Sequence, residues 1–160
     1  MDLIKKEEIL PISKEEYKDL ESIESITVIT FYINKFLFGI PAEKIVEITK
    51  NLEITPVPLS ENYILGITNL RGRIITAIDL AKKINIPTQK SPNLNIIVEY
   101  EDELVAFVVE KVGDVLQIPV SKLETPPEKI EGINKEYIEK VYQLEDKILL
   151  LLDIEKLFKN

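Results

Sequence analysis

The chain has 160 residues, of which 45% are hydrophobic and 30% are charged, a balance that suits one domain with a substantial core. Its net charge of −8 argues against nucleic acid and against insertion into or binding to an anionic membrane, since both surfaces attract basic proteins. It contains neither cysteine nor histidine, which excludes disulfides, thiolate nucleophiles and the commonest transition-metal ligands. We therefore expect no metal and no cofactor. No run of apolar residues has the length of a membrane span or a signal peptide, so we expect a cytoplasmic protein.

Short strands dominate the chain after a charged start. Residues 1–25 are rich in charge and predict an acidic N-terminal extension, either a tail or a short amphipathic helix. Residues 26–33 and 36–40 are rich in β-branched and aromatic side chains and predict two strands joined by a turn. Two prolines that flank Val57 exclude a central strand at that point.

A tight hairpin follows. Residues 66–70 and 73–78 predict its strands, with Arg71 and Gly72 in the turn, where Gly72 permits a positive φ. Asp79 comes directly before a short amphipathic run and is predicted to be the N-cap of a helix.

The second half of the chain repeats the first. Residues 43–48 match residues 110–115 at an offset of 67, and residues 70–82 match residues 144–156 at an offset of 74. Two copies of a strand-rich unit predict two small β-barrels or one pseudo-symmetric β structure, and the length of each copy suits a five-stranded barrel better than a sandwich. The change of offset indicates seven extra residues, which we place in the first copy, in the connection before Gly66.

Features that occur in both copies are attributed to the fold. Asp79 and Asp153 are both interpreted as helix caps. The two hairpins also share a pair of apolar positions, which we interpret as core anchors: Leu70 with Leu144, and Ile74 with Ile148.

The arginine turn occurs in one copy only, which makes it the candidate for function. Arg71 and Arg73 are the only arginines among 20 basic residues, and the second copy has Glu145, Asp146 and Lys147 at the corresponding positions. A guanidinium can bind a carboxylate through two parallel hydrogen bonds. Arg71 is therefore predicted to form a salt bridge with Glu47, to bind a partner, or to do both. Arg73, matched by a lysine, is interpreted as a solvated charge.

The residues around this turn resemble the CheW family, the coupling proteins of bacterial chemotaxis. The resemblance rests on Asn69-Leu70-Arg71-Gly72, on an Asp-Leu pair beginning eight residues after Arg71, and on Pro56-Val57-Pro58 upstream. It covers roughly residues 26–160. It implies a mainly β fold of two intertwined, five-stranded SH3-like β-barrel subdomains with a few short helices, and it implies that the protein is not an enzyme.

The resemblance also implies two protein binding partners. CheW proteins bridge the cytoplasmic tip of methyl-accepting chemoreceptors to the regulatory domain of the histidine kinase CheA. The resemblance implies that receptor binding involves Arg71, Glu47, Gly66, Asn69, Leu70 and Gly72. It implies that kinase binding involves Ala42 and Ile45.

Three alternatives remain open from the sequence. The chain could be a regulatory-type CheW-like domain of another two-component or signalling pathway. It could be a small β-barrel that binds a ligand, which a deep, closed apolar cavity would favour. It could also be an enzyme that uses two of its 28 acidic residues, which would require a pair of carboxyl groups with well separated pKa values inside a pocket.

Overall fold

The computed structural model describes residues 24–159, and strands make up most of that range. The strands are β1 (Ser25–Ile33), β2 (Phe36–Pro41), β3 (Ile45–Lys50), β4 (Ile54–Thr55), β5 (Ile64–Leu70), β6 (Arg73–Asp79), β7 (Leu94–Tyr100), β8 (Glu103–Val109), β9 (Val112–Pro119), β10 (Ile138–Gln143) and β11 (Ile148–Leu152). The helices are α1 (Leu80–Lys83) and α2 (Ile154–Lys159). The predicted N-terminal extension lies outside the described residues except for its last two, of which Ser25 already begins β1.

The strands form two sheets. The five-stranded sheet has the order β10-β11-β2-β1-β9, and the six-stranded sheet has the order β3-β7-β8-β6-β5-β4. Neighbouring strands are antiparallel except for β2 with β11 and β6 with β8, which are parallel. The predicted fold class is confirmed, and the six-stranded sheet exceeds the predicted five strands by the two-residue β4.

The internal repeat appears in the strand pairing itself. An offset of 67 carries β1, β2 and β3 onto β7, β8 and β9, and an offset of 74 carries β5, β6 and α1 onto β10, β11 and α2. The same offsets relate the two parallel pairings, in which Thr76 lies opposite Val105 and Phe38 lies opposite Leu150. Each sheet therefore contains strands from both halves of the chain, and the two subdomains are intertwined.

The seven extra residues lie in the second copy, so the placement predicted from the sequence was wrong. In the first copy, residues 51–63 connect β3 to β5 and include β4. In the second copy, β9 is longer than β3, and the connection that follows it occupies residues 120–137. That connection begins and ends with single 3-10 turns, Val120–Lys122 and Lys135–Tyr137.

The core consists of three groups of apolar side chains. The largest combines residues of both sheets, including the fully buried Phe31, Phe38 and Phe107. A second group lies within the six-stranded sheet and contains Leu70, which confirms its prediction as a core residue. The third lies within the five-stranded sheet, and the half-buried Leu144 packs against it.

Ile74 and Ile148 are not core residues, and this part of the prediction was wrong. Their exposed fractions are 64% and 49%. Side chains along a strand alternate between its two faces, and in β6 the inward positions are occupied by Ile75 and Ala77. The apolar residue that the two copies share therefore lies on the outer surface of each hairpin.

Both predicted helix caps are confirmed. The Asp79 carboxylate accepts a hydrogen bond from the Lys82 backbone N–H at 3.2 Å, and the Asp153 carboxylate accepts one from the Lys156 N–H at 3.1 Å. In the described residues, neither α1 nor α2 is long and apolar enough to span a membrane.

Candidate functional site

The turn between β5 and β6 has an unusual backbone for an arginine. Leu70 pairs with Arg73, so Arg71 and Gly72 form a two-residue turn, with φ values of 51° and 86°. Two positive φ values match the twist of a two-residue hairpin, but only glycine adopts them without steric cost. The Asn69 side-chain oxygen accepts a hydrogen bond from the Gly72 N–H at 2.8 Å. Asn69 therefore stabilises the conformation in which Arg71 is held.

The Arg71 guanidinium binds the Glu47 carboxylate with two hydrogen bonds, which confirms the predicted salt bridge. Its Nη1 donates to Oε1 and its Nη2 donates to Oε2, the latter at 3.1 Å. The side chains of Arg71 and Glu47 are 73% and 22% exposed. Glu47 lies on β3, which is one edge strand of the six-stranded sheet, whereas Arg71 follows β5, which lies next to the other edge strand, β4. Since a guanidinium has five N–H donors and Glu47 takes two, Arg71 can bind a further acceptor from solvent.

The corresponding place in the five-stranded sheet has different chemistry. Asp114 is the counterpart of Glu47, and Glu145 is the counterpart of Arg71, so two carboxylates replace the ion pair. They line an open cleft of about 550 Å³. There, the Lys147 ammonium donates a hydrogen bond to the Tyr32 hydroxyl at 2.8 Å. This bond, together with the nearby negative charges of Asp146 and Asp114, raises the pKa of Lys147.

Exposed apolar side chains lie on the strands that carry the ion pair. Ile67 on β5 and Ile74 on β6 face outward, as do Val46 and Ile48 on either side of Glu47 in β3. Ile67 and Ile74 line one shallow cleft together with Asn69 of β5, and we call these three residues, with Arg71 and Glu47, the arginine surface. Apolar groups beside an oriented charge are typical of protein contact sites. The sequence did not identify these four outward apolar residues as site residues, although alternation along β3, β5 and β6 could have done so.

Two other predicted receptor residues support this surface from beneath. Leu70 is 9% exposed and packs in the core of the six-stranded sheet. Gly66 is buried at a bulge, with a φ of 147°, and a Cβ there would lie 2.1 Å from the backbone oxygen of Thr55. Both residues therefore fix the path of β5 from within the fold.

The two predicted kinase-binding residues lie close to Glu47 along the chain. Ala42 begins a 3-10 turn (Ala42–Lys44) after β2, and Ile45 begins β3. Both are half-buried, and Ile45 packs against the core shared by the two sheets. A bulge between Ile45 and Glu47 separates the two side chains along β3.

Two cavities bear on the ligand-binding alternative. A groove of about 670 Å³ between the β10–β11 hairpin and the long second-copy connection is open to solvent and is lined by Phe36, Ile130 and Leu150 among others. A smaller void beside Asp79 holds about 10 Å³, room for a single water molecule. Neither is the deep, closed apolar cavity that would favour a ligand.

The acidic residues give little support to an enzyme. Among residues 24–159, no group of three or more carboxylates is placed to hold a metal ion. The pKa of Glu139 is raised by desolvation and by the charge of Asp153. Glu139 itself is exposed on the outside of the β10–β11 hairpin, and Asp153 is engaged as a helix cap.

Comparison with known proteins decides the family. Residues 27–160 match the family model described as a CheW-like domain. The chain belongs to the CheW family. Similar proteins include the chemotaxis protein CheW of Treponema pallidum, 31% identical over 86% of this chain and 84% of that protein. CheW of Bacillus subtilis is 31% identical over 79% of this chain and 82% of that protein.

A solved CheW structure has the same fold. The scaffolding protein TtCheW from Thermoanaerobacter tengcongensis superposes with a TM-score of 0.79 at 28% sequence identity, covering 86% of this chain and 94% of that one. Family membership confirms the resemblance and the predicted CheW fold of two SH3-like subdomains. It also confirms the predicted role of a chemotaxis adaptor.

Proposed function

We propose that this CheW protein joins the cytoplasmic tip of a chemoreceptor to the regulatory domain of the histidine kinase CheA, and that it does so without catalysing a reaction. Its relatives in Treponema pallidum and Bacillus subtilis are chemotaxis proteins, which supports a place in chemotaxis, and TtCheW is a scaffolding protein, which supports a scaffold role. A chain without histidine or cysteine suits a role that depends on binding alone.

We place receptor binding on the arginine surface. The observation that carries this assignment is the Arg71 guanidinium, which is held by Glu47 and yet mostly exposed. A side chain that is already ordered loses little entropy on binding. Its remaining N–H groups suit a carboxylate or a backbone carbonyl on a receptor helix, and the neighbouring Ile67 and Ile74 suit the apolar face of that helix.

We place kinase binding around Ala42 and Ile45. Both residues lie where β2 passes into β3, and their partial exposure leaves apolar surface for a second protein. Because Glu47 is two residues beyond Ile45, the two proposed surfaces share β3. Simultaneous binding then requires each partner to approach from its own side of that strand.

Reversing the charge of Arg71 tests the receptor site. We expect Arg71→Glu to weaken binding of a receptor-tip fragment by more than about tenfold, since a buried or central charged anchor contributes about 2 kcal/mol or more. The fold should survive, because Glu101 already occupies the first position of the β7–β8 turn with a φ of 48°. Affinity is measured by pull-down and calorimetry, with circular dichroism to check folding.

Two control variants separate the surfaces. Lys147→Glu changes the charge of the corresponding turn in the other hairpin and should leave receptor binding unchanged. Ala42→Asp should weaken binding of the kinase regulatory domain and leave the receptor fragment unaffected. Unchanged receptor binding by a folded Arg71→Glu protein contradicts the receptor assignment, and equal losses of both partners in Arg71→Glu and Ala42→Asp contradict the division into two surfaces.

A further inference from the structure

Arg73 is exposed, as interpreted from the sequence, and in addition it makes one specific contact. It is the first residue of β6, directly after the turn that holds Arg71. The parallel register of β6 and β8 pairs Thr76 with Val105, which places Arg73 beside Asp102 in the β7–β8 turn. The Arg73 Nη2 donates a hydrogen bond to the Asp102 backbone oxygen at 3.3 Å. Arg73 therefore joins the tips of two neighbouring hairpins.

The second copy contains an equivalent contact made with different residues. Lys147, the counterpart of Arg73, donates to the hydroxyl of Tyr32. Tyr32 lies in the β1–β2 hairpin, which corresponds to the β7–β8 hairpin of the other sheet. In both copies, a cation directly after the turn thus binds the neighbouring hairpin. A contact that recurs with a different cation and a different acceptor indicates a role for the position itself.

The two arginines hold the same turn from two directions. Arg71 binds Glu47 on β3, and Arg73 binds the β7–β8 turn. Arg71 has a φ of 51°, a conformation that a residue with a side chain adopts only at some cost. Without a second attachment, the turn could relax and take the guanidinium away from its bound position.

We propose that Arg73 is a positioning residue that orients Arg71 for partner binding. It acts by fixing the hairpin tip to the Asp102 carbonyl and does not touch the partner itself. The inference rests on the proposed receptor site at Arg71. It assigns a role to the second of the two arginines and explains why both lie in one turn.

The side chain of Arg71 provides a direct readout without any partner. Since the chain has two arginines, a ¹H–¹⁵N spectrum contains two Nε–H signals, which Arg71→Lys assigns. Arg73→Met removes the donor and keeps the apolar stem, and we expect the heteronuclear NOE of the Arg71 Nε–H to fall toward that of a free side chain. Arg73→Lys introduces the residue type that the second copy has at this position, Lys147, and should restore the NOE of the Arg71 Nε–H. Lys147→Met is the matched control and should leave the signal unchanged.

Receptor binding provides the second readout. We expect Arg73→Met to weaken binding of the receptor-tip fragment by about three- to tenfold, and to have no effect in an Arg71→Ala background, because the two residues act in series. An unchanged Arg71 NOE in Arg73→Met, or an additive loss of affinity in the double variant, overturns the proposal. If the wild-type protein does not bind the receptor tip, the proposed function fails, while the NOE still decides whether Arg73 orders Arg71.

Discussion

The turn at Arg71 illustrates how one residue can serve a site at a local conformational cost. Arg71, Glu101 and Asp102 all have positive φ values in two-residue hairpin turns, where glycine or asparagine would be less strained. At Arg71 this backbone directs the side chain toward Glu47 on a distant strand of the sheet. The Asn69 and Arg73 contacts on either side of the turn offset the cost.

Two glycines in the candidate site are under different constraints. Gly66 lies at a bulge where a Cβ would meet the Thr55 backbone oxygen at 2.1 Å, whereas a Cβ at Gly72 meets none of the described atoms within 4 Å. We expect Gly66→Ala to destabilise the protein by about 2–4 kcal/mol, because backbone atoms must move. Gly72→Ala should cost only about 1 kcal/mol, from its φ of 86°.

Urea unfolding of the two variants measures this difference. Gly72→Ala serves as the control for adding a methyl group at positive φ without a steric clash. Equal losses of unfolding free energy in the two variants would show that the close approach of β4 to β5 is not what requires Gly66.

The sequence predicted the ion pair and the turn but not the surface around them. Arg71 and Glu47 could be paired because arginine is rare in this chain and an acidic residue occurs both at position 47 and at its counterpart, Asp114. Ile74 was assigned to the core because an apolar residue recurred in both copies, yet its position in β6 turns it outward. Recurrence between copies does not distinguish an inward residue from an outward one. The partner of Arg73 is the backbone carbonyl of Asp102. Every residue has such a carbonyl, so the type of side chain at this position could not reveal the contact.

At the scale of elements, the repeat extends to irregular features. The β5–β6 hairpin has a bulge between Ile64 and Gly66, and the β10–β11 hairpin has one between Ile138 and Lys140. The extra residues are Leu65 and Glu139, which correspond at the offset of 74. A bulge bends and twists its strand in the same way whatever side chain it carries. The bulge is therefore a feature of the fold. Its extra residue is apolar in the first copy, Leu65, and acidic in the second, Glu139.

The effect of an acidic residue at the second bulge is tested by replacing Glu139 and measuring how the stability of the protein changes with pH. Desolvation, followed by the charge of Asp153, raises the pKa of Glu139 in the folded protein. Its ionised form is therefore less favourable in the folded than in the unfolded state, and this penalty is present at neutral pH and disappears as the pH falls and the carboxyl group is protonated. We expect Glu139→Gln to raise the melting temperature by about 1–2 °C at pH 7.

That gain should vanish below about pH 4, where both states of the wild-type residue become protonated. Melting curves of the wild type and the variant across this range provide the measurement. Glu128→Gln, on the exposed second-copy connection, is the matched control. A gain that stays constant from pH 7 to pH 3 would assign the effect to packing and not to charge.

At the scale of the whole molecule, the exchange of strands explains why two small sheets behave as one protein. β2 of the first copy pairs with β11 of the second, and β8 of the second copy pairs with β6 of the first. Neither sheet can form without both halves of the chain. The largest group of core residues also combines both sheets, and the kinase candidate Ile45 packs against it.

This exchange could not be predicted from the repeat alone. Two copies of one unit would produce the same offsets if each copy formed its own closed sheet. The choice depends on long-range pairings between β2 and β11 and between β6 and β8, which no local pattern of side chains specifies. The resemblance to the CheW family provided the intertwined arrangement that the residues themselves left open.

We propose that the protein binds a receptor and the kinase at the same time. The most direct test is size-exclusion chromatography with multi-angle light scattering on the full chain mixed with a chemoreceptor-tip fragment and the CheA regulatory domain, first separately and then together. We expect a binary complex with each partner and, in the three-component mixture, one species that contains all three. Displacement of one partner by the other, with only binary complexes eluting, would contradict it.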